Sequence, residues 1–155
     1  MAILRLELFG GFTLSDDEGH EVTITSRKAR ALFAYLALAR EPSVTRNKLA
    51  SLLWADRGEE QAQASLRQTL SSLRRVLGKS GAEILRVSGG SLSISPQSLS
   101  LDVVEFEAGI IDTDEETRNA ALEIHQGPLL DGFDARSEPF EDWLQMERSH
   151  LTELA

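Results

Sequence analysis

Apolar residues recur along residues 61–78 with the spacing of one face of an α-helix. At about 100° per residue, five of them fall in one narrow stripe: Ala62, Leu66, Leu70, Leu73 and Leu77. The opposite side is polar, lacks carboxylates, and consists of Gln61, Ala64, Gln68, Ser71, Ser72 and Arg75, flanked by Arg67 and Arg74. The pattern predicts a helix that packs on a core and presents a polar face to solvent.

Two shorter helices are predicted ahead of this one. Ser26 is placed to cap a helix that runs to Ala39, with a core stripe of Ala29, Leu32, Phe33, Leu36 and Ala39. Thr45 is placed to cap a helix over residues 46–54, whose inward residues are Leu49, Leu52 and Leu53. Residues 56–60 are expected to form the turn that follows, and Gly78 to end the long helix in a left-handed conformation. The order is that of a helix-turn-helix.

Alternating segments on either side of the helices predict strands. Residues 3–9 form the first, and residues 12–14 and 21–25 form a hairpin around the turn at residues 16–19. Residues 84–88 and 91–95 form a second hairpin through Gly89 and Gly90, in the place of a wing. Residues 96–100 look like a polar joint. Together these features predict an α+β winged helix-turn-helix with a small antiparallel sheet, three helices and a wing hairpin, over residues 1–98.

Residues 99–155 are predicted to be all helical. Helices are expected over residues 103–111, 115–125 and 139–154, with Asp102 as the cap of the first and breaks at 127–128 and 131–132. Paired helices of this kind are typical of a TPR-like module, which needs more repeats than are present here to bury its faces. The helical segment is therefore expected to be truncated.

The charge is distributed very unevenly. The formal net charge is -9, yet residues 26–79 contain eleven Lys and Arg against four acidic residues, a net of +7. Residues 102–155 contain three basic and fifteen acidic residues, a net of -12. Such asymmetry indicates two regions with different functions, of which the first suits a polyanion.

Composition excludes several other classes. The chain has no Cys, so it has neither disulfides nor thiolate metal sites, and its three His residues show no metal-binding spacing. No apolar run approaches the roughly 20 residues of a membrane span, and the amino terminus lacks a signal peptide. We expect a cytoplasmic protein with no membrane partner, no cofactor and no metal, which is not an enzyme.

The polar face of the long helix carries donors that suit DNA. Gln, Ser and Arg hydrogen bond base edges and phosphates, whereas ordinary surface helices mix Glu with Lys. Arg75 has no acidic residue three or four positions away, which favours DNA contact. A solvated face is the alternative, and Arg67 and Arg74 could instead pair with a neighbouring Glu. Arg27, Lys28 and Arg30, and likewise Arg86 in the wing, suit phosphate contact and solubility equally well.

Seven segments together resemble a known family. They are LRLELFGGFTL, SRKARALFAYLAL, VTRNKLASLLW, QAQASLRQTLSSLRRVLG, LDVVEFEAGI, HQGPLLDGF and FEDWLQMERSHL. In this order and spacing they are similar to the Streptomyces antibiotic regulatory proteins (SARP), which are activators with an OmpR-type winged helix and a bacterial transcriptional activation domain. The resemblance spans essentially the whole chain. One departure is Gly90-Ser91, where the family commonly has Gly-Tyr in its wing.

The resemblance implies that the third helix enters the DNA major groove and the wing touches the flanking backbone. It also implies that copies bind repeated half-sites side by side, as a possible homo-oligomer on DNA, and recruit RNA polymerase. By position, the groove-facing residues would be Gln61, Ala64, Ser65, Gln68, Ser72 and Arg75, with Arg67 and Arg74 toward phosphate. Thr45, Arg46 and Lys48 match the backbone contacts of the second helix. The alternatives are a protein-protein interaction module and the regulatory front end of a larger signalling protein or enzyme.

Overall fold

The computed structural model describes residues 3–155, apart from the side chain of residue 80. Within these residues, six strands and seven α-helices follow one another. The strands are β1 (Leu4–Glu7), β2 (Thr13–Asp16), β3 (Val44–Thr45), β4 (Leu85–Ser88), β5 (Ser91–Ile94) and β6 (Leu99–Leu101). The helices are α1 (Arg27–Leu38), α2 (Arg46–Leu53), α3 (Glu59–Leu77), α4 (Gly81–Ile84), α5 (Asp102–Ile110), α6 (Glu115–Ile124) and α7 (Glu138–Leu154). The fold is a winged helix followed by a helical segment, as predicted.

The first sheet is mixed, with the strand order β2-β1-β6. β1 pairs antiparallel with β2 and parallel with β6, so that Leu6 lies opposite both Leu14 and Leu101. Two predictions were therefore wrong: residues 99–101 form a strand within the supposed polar joint, and residues 21–25 form none. The start of the expected hairpin is present: Ser15 and Glu21 form an isolated bridge, and the amides of Asp16 and Val22 donate to the carbonyls of His20 and Leu14. Residues 23–25 do not continue this pairing as a strand.

α1 and α2 begin at the predicted caps. The hydroxyl of Ser26 accepts a hydrogen bond from the amide of Ala29 at 3.2 Å, and that of Thr45 accepts one from the amide of Lys48 at 3.1 Å. α1 is buried on a broader face than the predicted stripe, since Ala31, Ala34 and Tyr35 are also buried. This helix lies at the centre of the domain, against α2, α3 and β5.

α3 buries the predicted stripe of Ala62, Leu66, Leu70, Leu73 and Leu77 against the core. It begins two residues earlier than predicted, so Glu59 and Glu60 form its first turn, where acidic side chains favour the positive end of the helix dipole. Gly78 ends the helix with a φ of 63°, a conformation that favours glycine. A single 3₁₀ turn, residues 78–80, and α4 then lead to the wing, and neither was predicted.

The second sheet contains the predicted wing hairpin, in the order β3-β5-β4. β4 and β5 pair through the turn at Gly89 and Gly90, with Ser88 opposite Ser91. β3, which was not predicted, pairs with β5 and leads directly into α2. The amide of Arg46 donates to the carbonyl of Gly90 at 2.8 Å, so the start of α2 is tied to the wing turn.

The helical segment packs closely on the winged helix. The three predicted helices are present as α5, α6 and α7, and α5 and α6 pack as a pair. Asp102 was predicted as a helix cap, but the cap of α5 is Leu101, and the buried Asp102 carboxylate accepts hydrogen bonds from the amides of Leu8 and Phe9. Burial raises the pKa of Asp102 against the opposing effect of these bonds. Its short side chain reaches β1 because β6 and β1 are adjacent.

One hydrophobic core runs through both parts of the chain. It joins Leu6 and Phe33 of the winged helix to Phe106, Phe140 and Leu144 of the helical segment. The division at residue 98 stays a prediction, and residues 1 and 2 of the predicted first domain lie outside the described residues. Across this division, β6 completes a sheet with β1 and β2. None of the helices in residues 3–155 combines the length and the apolar character needed to cross a membrane.

Candidate nucleic-acid interface

The outward face of α3 is open to solvent along its whole length. Its exposed residues include Gln61, Ala64, Arg67, Gln68, Ser71, Arg74 and Arg75, with Ser65 and Ser72 half-buried between them. α3 packs against α1, α2 and α4, and the acidic helical segment lies instead against α1, α2 and β1. The face that the sequence singled out is therefore accessible and is not covered by the acidic residues.

This face forms one wall of a broad open groove. The start of α1 and the turn between α2 and α3 form the other walls. Four cationic side chains line the groove, and no carboxylate lies among the lining residues: Lys28, Arg57, Arg67 and Arg75. Three separate parts of the chain thus contribute cations to a single concave surface, as an interface for a polyanion requires.

Arg57 belongs to this groove, although sequence reasoning did not select it. Its guanidinium donates to the hydroxyl of Ser65 at 2.7 Å, which holds the turn against the first half of α3. The sequence offered only its place in a turn of mixed charge, because Asp56 and Glu59 stand close to it along the chain. Its position beside Ser65 becomes clear only once the turn is folded.

Lys28 is partly committed to the fold. Its ammonium donates to the carbonyl of Leu53 at the end of α2 and lies 5.7 Å from the centre of the Trp54 ring. Burial lowers the pKa of Lys28 below its ordinary value. Arg27 beside it is exposed at the first position of α1. Trp54 is buried and Trp143 packs on Tyr35, so both tryptophans have structural roles.

The second group of predicted residues lies at the start of α2. The exposed Thr45 caps the helix, Arg46 is half-buried, and Lys48 forms a 2.6 Å ion pair with Glu41. The hydrogen bond from Lys48 to Glu41 raises the pKa of the lysine, so it stays protonated. Because β3 and β5 are paired, this group lies next to the wing turn. Arg86, exposed on β4, is the predicted cation of the wing itself.

The cations of α3 are available for an external partner. In the described part of the chain, no salt bridge involves Arg67, Arg74, Arg75 or Arg86, so the neighbouring Glu considered for Arg67 and Arg74 is not found there. By contrast, Arg5 and Arg40 pair with acidic residues of the helical segment. Arg5 and Arg40 thus help to hold the two parts of the chain together, whereas Arg67, Arg74, Arg75 and Arg86 face solvent.

Residues 19–90 match the family described as "Transcriptional regulatory protein, C terminal". The matched range extends from the turn after β2 to the wing turn and so contains α1, α2 and α3. The described structure of these residues is a winged helix, and this part of the chain is similar to the OmpR-type DNA-binding domains of transcriptional regulators. The matched family is a DNA-binding domain and not an enzyme.

A solved structure with the same architecture is "Mycobacterium tuberculosis EmbR in complex with low affinity phosphopeptide". The two chains are 24% identical and superpose with a TM-score of 0.74, over 99% of this chain and 44% of the EmbR chain. This likeness shows the fold, including the helical segment behind the winged helix. The chain spans less than half the length of that EmbR chain. The curated proteins contain no significant sequence match.

Proposed function

We propose that this protein binds double-stranded DNA sequence-specifically and activates transcription, with α3 in the major groove. The observation that carries the proposal is the exposed, carboxylate-free groove formed by α3, the start of α1 and the turn before α3. The major groove of B-DNA is about 12 Å wide and admits an α-helix. An α-helix whose outer face offers Gln, Ser and Arg side chains has the donors and acceptors that distinguish base pairs.

Each group of predicted residues has a role in this arrangement. Gln61, Gln68 and Arg75 are proposed to reach base edges, with Ala64, Ser65 and Ser72 lying close to the bases. Arg67 and Arg74, together with Arg27, Lys28 and Arg57, are proposed to contact phosphates. The start of α2 (Thr45, Arg46 and Lys48) and Arg86 of the wing would hold the flanking backbone. Phosphate contacts fix the register, and base contacts specify the sequence.

The remaining features come from the resemblance to the antibiotic regulatory proteins. Copies are proposed to bind side by side on repeated half-sites and to recruit RNA polymerase. The net charge of -12 on residues 102–155 supports a division of labour, since this segment repels DNA and leaves binding to the winged helix. The segment packs against α2 and β1, and none of its residues lines the α3 groove.

The experiment that tests the proposal is selection of bound fragments from a genomic DNA pool, followed by titration of the selected fragment. Fluorescence anisotropy should show affinity falling by orders of magnitude over a few-fold rise in salt, if about five cations contact phosphate. A scrambled fragment of the same length is the control and should bind much more weakly. Failure to enrich any fragment, or binding that salt leaves unchanged, would favour a protein-docking role. Transcription in vitro with RNA polymerase then tests activation.

A further inference from the structure

A second concave site lies on another side of the winged helix, away from the α3 groove. It is a pocket of about 360 Å³ between the end of α1, the paired strands β3 and β5, strand β6 and the first turn of α5. None of its lining residues belongs to α3 or to the cationic groove. Its volume lies within the range of about 300–1,000 Å³ that is typical of small-molecule sites.

The interior of this pocket is apolar and preformed. Leu36 of α1, Val44 of β3, Leu92 of β5 and Leu101 of β6 contribute walls and are themselves 0% to 5% exposed. Such residues belong to the packed core, so the walls keep their position without a ligand. Val104 of α5 lies at the entrance and is 58% exposed, a large value for an apolar residue. An apolar side chain at the mouth of an apolar pocket suits an apolar occupant.

The polar groups of the lining indicate which kind of molecule fits. Its two ionisable residues, Glu41 and Glu105, already hold cations: Glu41 pairs with Lys48 at 2.6 Å and Glu105 with Arg5 at 2.7 Å. Because both carboxylates are paired, the lining offers neither an anion nor a cation an unpaired counter-charge. Ser43 and Ser93 also line the pocket, and their hydroxyls make no side-chain hydrogen bond within the described residues. They can serve an uncharged polar group.

We infer that this pocket is a binding site for an uncharged, mainly apolar small molecule that carries a hydroxyl, carbonyl or amide group. The molecule would lie between the end of α1 and strands β3, β5 and β6, with its apolar part against Leu99, Leu101 and Val104. Its polar group would face Ser43 and Ser93. A few well-placed polar groups in an apolar enclosure are the usual composition of such sites. The site shares no lining residue with the proposed DNA interface, and its Glu41 is ion-paired with Lys48 of that interface.

Titration with the uncharged dye N-phenyl-1-naphthylamine tests this inference in the absence of DNA. Its fluorescence should rise saturably with the native protein. Val104→Trp should weaken binding by about tenfold or more, since the indole fills the entrance of the pocket. Ile111→Trp is the matched control, because Ile111 is 75% exposed on the same helical segment and does not line the pocket. It adds the same fluorophore and should leave dye affinity unchanged.

Two further readouts keep the inference open to refutation. In ¹H–¹⁵N spectra, the amides shifted by the dye should cluster in residues 36–44, 92–101 and 104–105, and not along α3. The anionic dye 1-anilinonaphthalene-8-sulfonate should bind more weakly than the uncharged one. The assignment is overturned if the native protein does not bind the uncharged dye, if Val104→Trp binds it as well as Ile111→Trp does, or if the shifts fall elsewhere. Equal binding of the anionic dye would overturn the preference for an uncharged ligand.

Discussion

The carboxylate of Asp102 and the backbone amide of Leu8 are joined by a hydrogen bond of 2.9 Å, although 94 residues separate them in sequence. The same carboxylate also receives the amide of Phe9 at 3.0 Å. Asp102, which is only 3% exposed, thus accepts hydrogen bonds from two backbone amides directly after β1. These bonds fix the first turn of α5 to the first sheet. The attachment of the helical segment therefore depends in part on one buried carboxylate.

Asp102→Asn should destabilise the protein and alter its response to pH. The side-chain amide of the Asn variant cannot accept both hydrogen bonds equally well. We therefore expect a loss of about 1 to 3 kcal/mol in the free energy of unfolding. The pKa of Asp102 lies above its ordinary value of 3.8 in the folded state. The stabilisation it provides is therefore complete below that value and falls as the pH rises through the raised pKa. Urea unfolding at a series of pH values, from acidic to neutral, measures the free energy of unfolding of both proteins. The difference between native protein and Asp102→Asn should become smaller as the pH rises through the raised pKa of Asp102.

Asp16 provides a control, because its pKa is shifted in the opposite direction from that of Asp102. Its pKa is lowered, chiefly by the hydrogen bond from the backbone amide of His20. Its contribution is therefore present above the ordinary pKa of an aspartate and is lost as the pH falls. The difference in free energy of unfolding between native protein and Asp16→Asn should accordingly become smaller as the pH falls. For Asp102→Asn, the corresponding difference should become smaller as the pH rises toward neutral. If both variants narrowed in the same direction, the account of Asp102 would be wrong.

Arg75→Ala should weaken DNA binding without affecting stability. Arg75 is exposed on α3, and within the described residues it has no salt-bridge partner. If it binds a guanine, its removal should cost roughly 1 to 3 kcal/mol on a selected site and leave the melting temperature nearly unchanged. Arg118→Ala, in the acidic segment, changes the net charge equally and should retain affinity. Equal affinity of native protein and Arg75→Ala would remove Arg75 from the interface.

Gly109→Ala should loosen the pair formed by α5 and α6. A Cβ atom at Gly109 would lie 2.8 Å from the Cβ of Ala121, which is buried between the helices. Because atoms cannot approach so closely, the helices must shift, at a cost of about 1 to 3 kcal/mol in the free energy of unfolding. Gly90→Ala is the control, since a Cβ there meets nothing within 4 Å. Thermal unfolding of both variants checks the prediction, which fails if Gly109→Ala melts no lower than Gly90→Ala.

Trp143→Ala should weaken the docking of α7 far more than Arg40→Ala does. Trp143 packs on Tyr35 of α1 with ring centres 4.8 Å apart, and on Phe140 at 5.2 Å. Its truncation removes a large packed surface and should cost about 3 kcal/mol. Arg40 pairs with Glu147 at 3.3 Å but its side chain is 58% exposed, and such pairs are worth less than about 1 kcal/mol. Thermal unfolding ranks the two variants, and the reverse order would make charge the main force in docking.

The long helices were predictable because their patterns are local. The stripe from Ala62 to Leu77 repeats over about four turns, and its spacing alone fixes both the helix and its buried face. Ser26 and Thr45 are recognisable as caps because a cap needs only a hydroxyl and the three residues after it. The acid-free face of α3 followed from the same register, which is why most residues of the proposed interface could be selected from sequence.

Features that depend on distant partners were missed. Leu99–Leu101 contains only two apolar residues, and its strand exists because β1, nearly a hundred residues away, offers a parallel edge. Asp102 has the sequence position of a cap, and nothing local indicates that its carboxylate faces Leu8. Arg57 joined the cationic groove only when the turn folded against Ser65. The pocket between α1, β3, β5, β6 and α5 likewise has walls from several separate elements, so it could not be predicted from any single segment.

The direct passage of β6 into α5 has a mechanical consequence. Because no residue separates the strand from the helix, a force on the carboxy-terminal helices is transmitted directly to β1 and to the hydrogen bonds of Asp102. The helices therefore cannot reorient freely relative to the winged helix. To reorient them, a bound protein would first have to break the pairing of β6 with β1.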